Sequence, residues 1–246
     1  MKVGLFQYNI SWENKAENKN KILSILSGSD LKNIDWIIFP EMTLSGFSMD
    51  LSKTTINNDD IKFFKDLALV HKCNISFGGV IESNNRNITI SRSGKILSQY
   101  SKIHLFGYGD EHNHYKPGKE NLTFNIDNFI VCPSICYDLR FPYLFWDQAV
   151  KTHVFYVIAN WPASRREHWI TLLKARAIEN QSFVVGVNRC GNEPKLTYSG
   201  DSMILDPLGN ELVNCANKEG LNSAEIHVEE LLKIRQSFPF LKDRLK

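Results

Sequence analysis

Strand-like and helix-like periodicities alternate through both halves of the 246-residue chain, which predicts an α/β fold. Several predicted strands follow one another directly through short turns, so the sheets should be mixed and not purely parallel. Hydrophobic residues make up 43% of the chain and aromatic ones 11%, enough to bury a sizeable interior. Together these features predict a layered α/β sandwich. Residues 1–246 read as a single domain with one large core, because no internal repeat, low-complexity tract or Pro/Gly/Ser linker marks a boundary.

Val3–Ile10 alternates like a strand, and Glu13–Leu26 carries Ile22, Leu23, Ile25 and Leu26 on an amphipathic helix. Asp35–Glu41 is a short buried strand ending at a Pro-Glu corner. Asp59–His71 is a second helix, with Ile61, Phe64, Leu67 and Ala68 on its apolar side. Strands are predicted at Ile75–Ile81, Asn87–Ser91 and Lys95–Tyr100, the last two joined by a Ser93-Gly94 turn. Ser101–Leu122 is polar and aromatic without sustained periodicity, and reads as a long ordered loop of the kind that usually carries function. Phe129–Cys136 resumes as a strand, Phe141–Lys151 as a helix and His153–Ala159 as a buried strand. Arg166–Gln181 is the clearest helix and Phe183–Asn188 the strand after it. Gly200–Leu205 and Glu211–Cys215 form a hairpin around Asp206-Pro-Leu-Gly-Asn210; a last strand, Ser223–Val228, leads into a short helix, Val228–Phe238.

Lys plus Arg number 29 against 27 Asp plus Glu, a net charge of +2, so nothing in the charge points to nucleic acid. The N-terminal MKVGLFQYNISWENK lacks the pattern of a secretory signal. No uninterrupted apolar run reaches the roughly 18 residues of a membrane span. Five scattered cysteines, Cys73, Cys132, Cys136, Cys190 and Cys215, read as free thiols of a reducing compartment and not as a disulfide framework. A soluble cytoplasmic protein without membrane or nucleic-acid partners is the expectation.

Reactive residues follow buried-looking strands in three segments, IIFPEMTLSGF, YSKIHLFGYGDEHNHYKPG and PSICYDLRFP, and strand ends are where rigid scaffolds present functional groups. A carboxylate at Glu41, after Trp36-Ile-Ile-Phe-Pro40, suits a general base if partly desolvated, though a Glu at a strand end is more often exposed. Cys136 ends an apolar strand before Tyr137-Asp-Leu-Arg140. Such a turn exposes a sulfur and aims backbone N–H groups at an oxyanion, whereas a lone Cys there is more often a small buried hydrophobe. Lys102, with Glu111 nine residues on, is either an oxyanion-stabilising ammonium or one of many surface lysines.

The three segments together resemble the carbon–nitrogen hydrolase (nitrilase) superfamily, whose catalytic Glu, Lys and Cys occur in this order after strands. The resemblance runs through nearly the whole chain, with ANWPASRREHW, ARAIENQSFVVGVNR and Gly200-Asp201-Ser202 as further signatures, and is nearest to the ω-amidase branch. It implies a four-layer αββα sandwich that pairs into a homodimer or larger homo-oligomer. It also implies a small-molecule amide substrate, with 2-oxoglutaramate first among ω-amides. Cys136 would form a thioester, Glu41 would shuttle protons, and Lys102 with the backbone N–H of Tyr137 would hold the oxyanion. The family's second Glu maps to Glu111, with Glu120 in the same loop as the other possibility. No cofactor or metal is implied.

Arg140, Arg165 and Arg166 are candidates for a substrate carboxylate, Arg165 being favoured, while Arg140 also suits a structural ion pair with Asp138 or in the surroundings of Glu41. Trp36, Trp146, Trp161 and Trp169 read mostly as core, with Trp161 placed to line a pocket. Arg176 and Glu179 belong to contacts with neighbouring segments or a partner subunit, and Cys132 to packing. His104, His112 and His114 crowd one loop, but two His at i, i+2 share no helix face and read as loop packing or substrate-pocket hydrogen bonding, not metal ligands. Gly78-Gly79 lacks the spacing of a phosphate loop. The competing readings are an amidase for another small substrate, such as an N-carbamoyl compound, and a noncatalytic member of the fold.

Overall fold

The computed structural model describes residues 1–244. In chain order the first seven strands are β1 (Lys2–Gln7), β2 (Trp36–Ile38), β3 (Asn74–Ile81), β4 (Asn84–Ile90), β5 (Ile96–Ser101), β6 (Phe124–Ile126) and β7 (Phe129–Ile135). The strands after them are β8 (Val154–Ala159), β9 (Phe183–Asn188), β10 (Cys190–Asn192), β11 (Thr197–Ser199), β12 (Met203–Leu205), β13 (Glu211–Asn214) and β14 (Gly220–Glu225). The helices are α1 (Lys15–Ser27), α2 (Leu51–Thr54), α3 (Asn58–His71), α4 (Glu111–His114), α5 (Pro142–Trp146), α6 (Arg166–Asn180) and α7 (Val228–Ser237).

Two six-stranded sheets result, ordered β14-β1-β2-β3-β4-β5 and β13-β12-β9-β8-β7-β6, with β10 and β11 as a separate hairpin. Each has three parallel central strands, β1-β2-β3 or β7-β8-β9, and antiparallel strands outside them. Both sheets are therefore mixed, as the strand succession predicts.

Alternation along the strands divides the interior into layers. Val154, Tyr156 and Ile158 of β8 meet Val3, Leu5, Trp36 and Ile38 of the other sheet, while Phe155, Val157 and Ala159 face Trp169, Leu173 and Ala177 of α6. On the opposite side Phe6, Ile37, Ile75 and Phe77 pack against Ile22 and Leu26 of α1 and Phe64, Leu67 and Ala68 of α3. The expected single core is thus three stacked apolar layers, one between the sheets and one under each helical layer, which makes the architecture α-β-β-α. Helix starts follow local chemistry: Asn14 caps α1 at Glu17 N–H, and Asn57 forms a capping box with Asp60 at α3.

Several boundaries differ from the sequence expectations. The helix expected at Phe141–Lys151 stops at Trp146, because the chain tightens into i→i+3 turns (Gln148 N–H to the Phe145 carbonyl, Ala149 N–H to Trp146) before entering β8. Trp146 and Val150 consequently stay 37% and 64% exposed, so Trp146 is not a core residue. The last strand is Gly220–Glu225 and not Ser223–Val228, since it pairs with all of β1 from Gln7 back to Lys2. The loop Ser101–Leu122 contains α4, and α2, β6 and the β10–β11 hairpin had no periodic signal. Among the described residues no helix is long and apolar enough to cross a membrane.

β3 passes so close to the turn after β2 that a Cβ on Gly78 would lie 2.4 Å from Met42 N and 2.8 Å from Glu41 Cα. Gly78→Ala should therefore overpack the sheet at the site and lower stability by about 1–3 kcal/mol. Urea denaturation checks this; an unchanged midpoint would contradict the close approach.

Candidate active site

The reactive residues singled out in the sequence sit on loops that leave the same end of both sheets. Glu41 lies in the turn after β2, next to Met42 at φ 45°, and Lys102 directly follows β5. Glu111 opens α4, and Cys136 opens the 3-10 turn Cys136–Arg140 at the end of β7. Cys136 itself holds φ 45°, a left-handed conformation that non-glycine residues adopt rarely. The first N–H groups of such a turn have no partner within it and are free to meet an anion.

Glu41, Lys102 and Glu111 form one wholly buried ion-pair network. Lys102 Nζ lies 3.0 Å from Glu41 Oε1 and 2.9 Å from Glu111 Oε2, with all three side chains at 0% exposure. Burial acts to strip the ammonium of its proton, but the two carboxylates outweigh it and hold the Lys102 pKa above the ordinary lysine range. One ammonium cannot satisfy all four carboxylate oxygens, and neutral hydrogen-bond donors supply the remaining contacts. Asn85 Nδ2 donates to Glu41 Oε1 at 2.7 Å and to Glu111 Oε1 at 3.1 Å. Asn160 N–H donates to Glu41 Oε2 at 2.9 Å, and Phe106 N–H to Glu111 Oε2 at 2.6 Å. Glu120, the other acidic residue of the loop, is exposed and outside this network. Lys102 also lies 5.0 Å from the centre of the Phe47 ring.

Cys136 is partly exposed, and its Sγ lies 4.0 Å from the Asn160 carbonyl oxygen. Burial of the sulfur, followed by the Glu41 charge, pushes its pKa well above the ordinary thiol value; Lys102 pulls the other way without prevailing. The group therefore rests as a thiol. It opens onto a cavity of about 680 Å³ whose wall includes Tyr137, Arg140, Asn160, Trp161 and Arg165. Arg140 stacks over Trp161 at 4.9 Å and Arg165 over Phe106 at 5.4 Å, and among the described residues neither forms an ion pair with a carboxylate.

Other expectations change. Arg140 does not pair with Asp138; its Nη2 lies 3.1 Å from His168 Nδ1. Arg166 is withdrawn from the cavity by a two-pronged pair with Asp201, at 2.8 and 2.7 Å, so it is not available to a substrate there. Arg176 reaches the Leu139 carbonyl and Glu179, and Cys132 is buried, with Sγ 3.4 Å from Asn121 Oδ1. His104 stacks on Phe141 and bonds Asp138, while His112 and His114 are exposed; no cluster of His, Cys, Asp or Glu that would hold a metal occurs among the described residues.

Two polar residues of the site carry no sequence signal of their own. Asn160 binds the Glu41 carbonyl through Nδ2 at 2.7 Å as well as its carboxylate, and Asn85 bridges both acids from the start of β4. Asn160 was recoverable only as the residue after β8 in ANWPASR. The β10–β11 hairpin adds Lys195, Leu196 and Tyr198 to the cavity wall.

The carbon-nitrogen hydrolase family model matches residues 2–236. A 2-oxoglutaramate amidase of Bacillus subtilis (strain 168) is 32% identical over 250 residues, covering 98% of this chain and 96% of the relative. The omega-amidase YafV of Escherichia coli (strain K12) is likewise 32% identical over 251 residues, covering 99% and 96%. Among solved structures, a CN-hydrolase superfamily protein of Xanthomonas campestris with an arsenic adduct in its active site aligns with TM-score 0.93 at 30% identity, covering 100% of this chain and 97% of that one. The match over almost the whole chain, on a four-layer sandwich with this buried network, makes the protein a member of the carbon–nitrogen hydrolase family, a hydrolase of carbon–nitrogen bonds other than peptide bonds.

Proposed function

We propose that the protein is an ω-amidase that hydrolyses the terminal amide of a small carboxylate-bearing substrate, 2-oxoglutaramate being the leading one, through a thioester on Cys136. The observation that carries this reading is a resting thiol beside a buried Glu41–Lys102–Glu111 network, at a cavity that also holds two arginines without carboxylate partners. The names of the relatives at 32% identity support the substrate class.

Because the thiol rests protonated, attack requires a base at the moment of reaction. Glu41 takes the Cys136 proton as sulfur bonds to the amide carbon, and the carbonyl becomes an oxyanion held by the Lys102 ammonium and the Tyr137 N–H. Collapse breaks the C–N bond, and the departing nitrogen takes the proton from Glu41 to leave as ammonia. Glu41 then removes a proton from water, which attacks the thioester; the acid is released and the thiol is reformed. Glu111 and Asn85 hold Lys102 and Glu41 in place throughout. Arg140 or Arg165 anchors the substrate carboxylate.

Cys136→Ala should reduce ammonia release by several orders of magnitude with the fold retained, whereas Cys132→Ala should keep most activity. Equal losses in the two variants would remove the assignment. Glu41→Gln should slow both acylation and deacylation in single-turnover measurements, and wild-type rates there would take Glu41 out of the mechanism.

Alkylation of Cys136 by iodoacetamide should climb with pH past the ordinary thiol value of 9.0, because a raised pKa delays the thiolate to higher pH. Peptide mass analysis reads this site by site; a plateau reached by about pH 7 would contradict the resting thiol.

For the carboxylate, a neutral analogue of 2-oxoglutaramate should lose about 2–5 kcal/mol in kcat/KM, since it leaves a cavity arginine unpaired. Comparing wild type with Arg165→Ala and Arg140→Ala identifies the anchor as the variant that loses the discrimination. Equal rates for charged and neutral amides in the wild type would remove carboxylate recognition.

A further inference from the structure

Asp138, two residues after Cys136, is wholly buried, and its carboxylate is used up by donors from both sides of Lys102. Tyr100 Oη, two residues before Lys102, donates to Oδ2 at 2.8 Å. His104 N–H, two residues after it, donates to Oδ1 at 2.8 Å, and the His104 ring Nδ1 lies 3.1 Å from the same oxygen. Ile135 N–H, just before Cys136, donates to Oδ2 at 3.1 Å. Stacking of the His104 ring on Phe141 at 3.6 Å, with Phe141 N–H bonded to the Asp138 carbonyl at 3.0 Å, closes the same connection from the far end of the turn.

β5 and β7 belong to different sheets, so no ladder hydrogen bond sets the distance between the residues at their ends. The Asp138 carboxylate spans that gap directly. We propose that Asp138 is the positioning residue that holds the Lys102 segment in register with the Cys136 turn, so that ammonium and sulfur address the same carbonyl. This rests on the reading of Cys136 as nucleophile and Lys102 as oxyanion partner. Asp138 touches no substrate; it acts through the two backbones it ties together. The His104 and Ile135 N–H groups, one on each carboxylate oxygen, can only donate, while the Tyr100 hydroxyl and the His104 ring nitrogen can take either role. An amide NH2 in its place would turn a donor toward a donor.

The test measures kcat, KM and thermal midpoint for Asp138→Asn and Tyr100→Phe, on the ω-amide that the wild type turns over fastest. Leu67→Ala, in the α3 layer away from the site, serves as a control for general destabilisation. Asp138→Asn should lower kcat about 100-fold with KM within about threefold, since a misplacement of about 1 Å carries that cost. Tyr100→Phe, which removes one bond and keeps the ring, should lower kcat about tenfold. Leu67→Ala should lower the midpoint and leave kcat alone. A folded Asp138→Asn with kcat within about threefold of wild type overturns the proposal. If that variant does not fold, an unchanged kcat in Tyr100→Phe overturns it instead. Full activity in Cys136→Ala would sink the underlying reading, whereas an inactive Cys136→Ala beside a fully active Asp138→Asn would sink only the positioning role.

Discussion

A buried ammonium held between two buried carboxylates is the constraint around which this end of the molecule is organised. Removing such charges from water costs several kcal/mol each, and only close pairing with further hydrogen bonds restores the balance. Lys102 alone cannot satisfy Glu41 and Glu111, so Asn85, Asn160 and the Phe106 N–H supply the remaining donors. Loss of any one partner would leave a charge stranded in an apolar surround, which is why so many backbone positions near the site have little freedom.

Those positions come from both sheets. Glu41, Asn85 and Lys102 belong to or follow strands of one sheet, while Cys136 and Asn160 follow strands of the other. Asn160 contributes its backbone N–H and side chain to Glu41 and its carbonyl to the neighbourhood of Cys136, so it links Glu41 to Cys136 across the interface. The apolar layer between the sheets, with Trp36, Tyr156 and Ile158 at its centre, sets the distance at which this link closes. Gly78 has the same origin: the turn carrying Glu41 presses on β3 until no side chain fits.

Electrostatics at the site separate binding from chemistry. At Lys102 the two carboxylates outweigh burial and keep the ammonium charged, while burial first and the Glu41 charge second keep the Cys136 proton on sulfur. Arg140 and Arg165 line the cavity over aromatic faces, where a planar cation is held without being neutralised. Arg166, one residue on, is spent on Asp201 and braces α6.

Much of this was legible in the chain. Predicted strands end next to Lys102 and at Cys136, and the Pro-Glu corner marks Glu41, because strand patterning and turn chemistry are local properties. The helix Arg166–Asn180 and the mixed character of the sheets follow from the same local signals. Tertiary structure alone decided the rest. Glu111 and not Glu120 enters the network because α4 folds back onto the Phe106 N–H. Asn85 and Asn160 become part of the site because two strand ends from different sheets meet there, and the helix after Cys136 is cut short by the turn into β8. Each of these depends on contacts between residues far apart in sequence, for which periodicity and propensity carry no information.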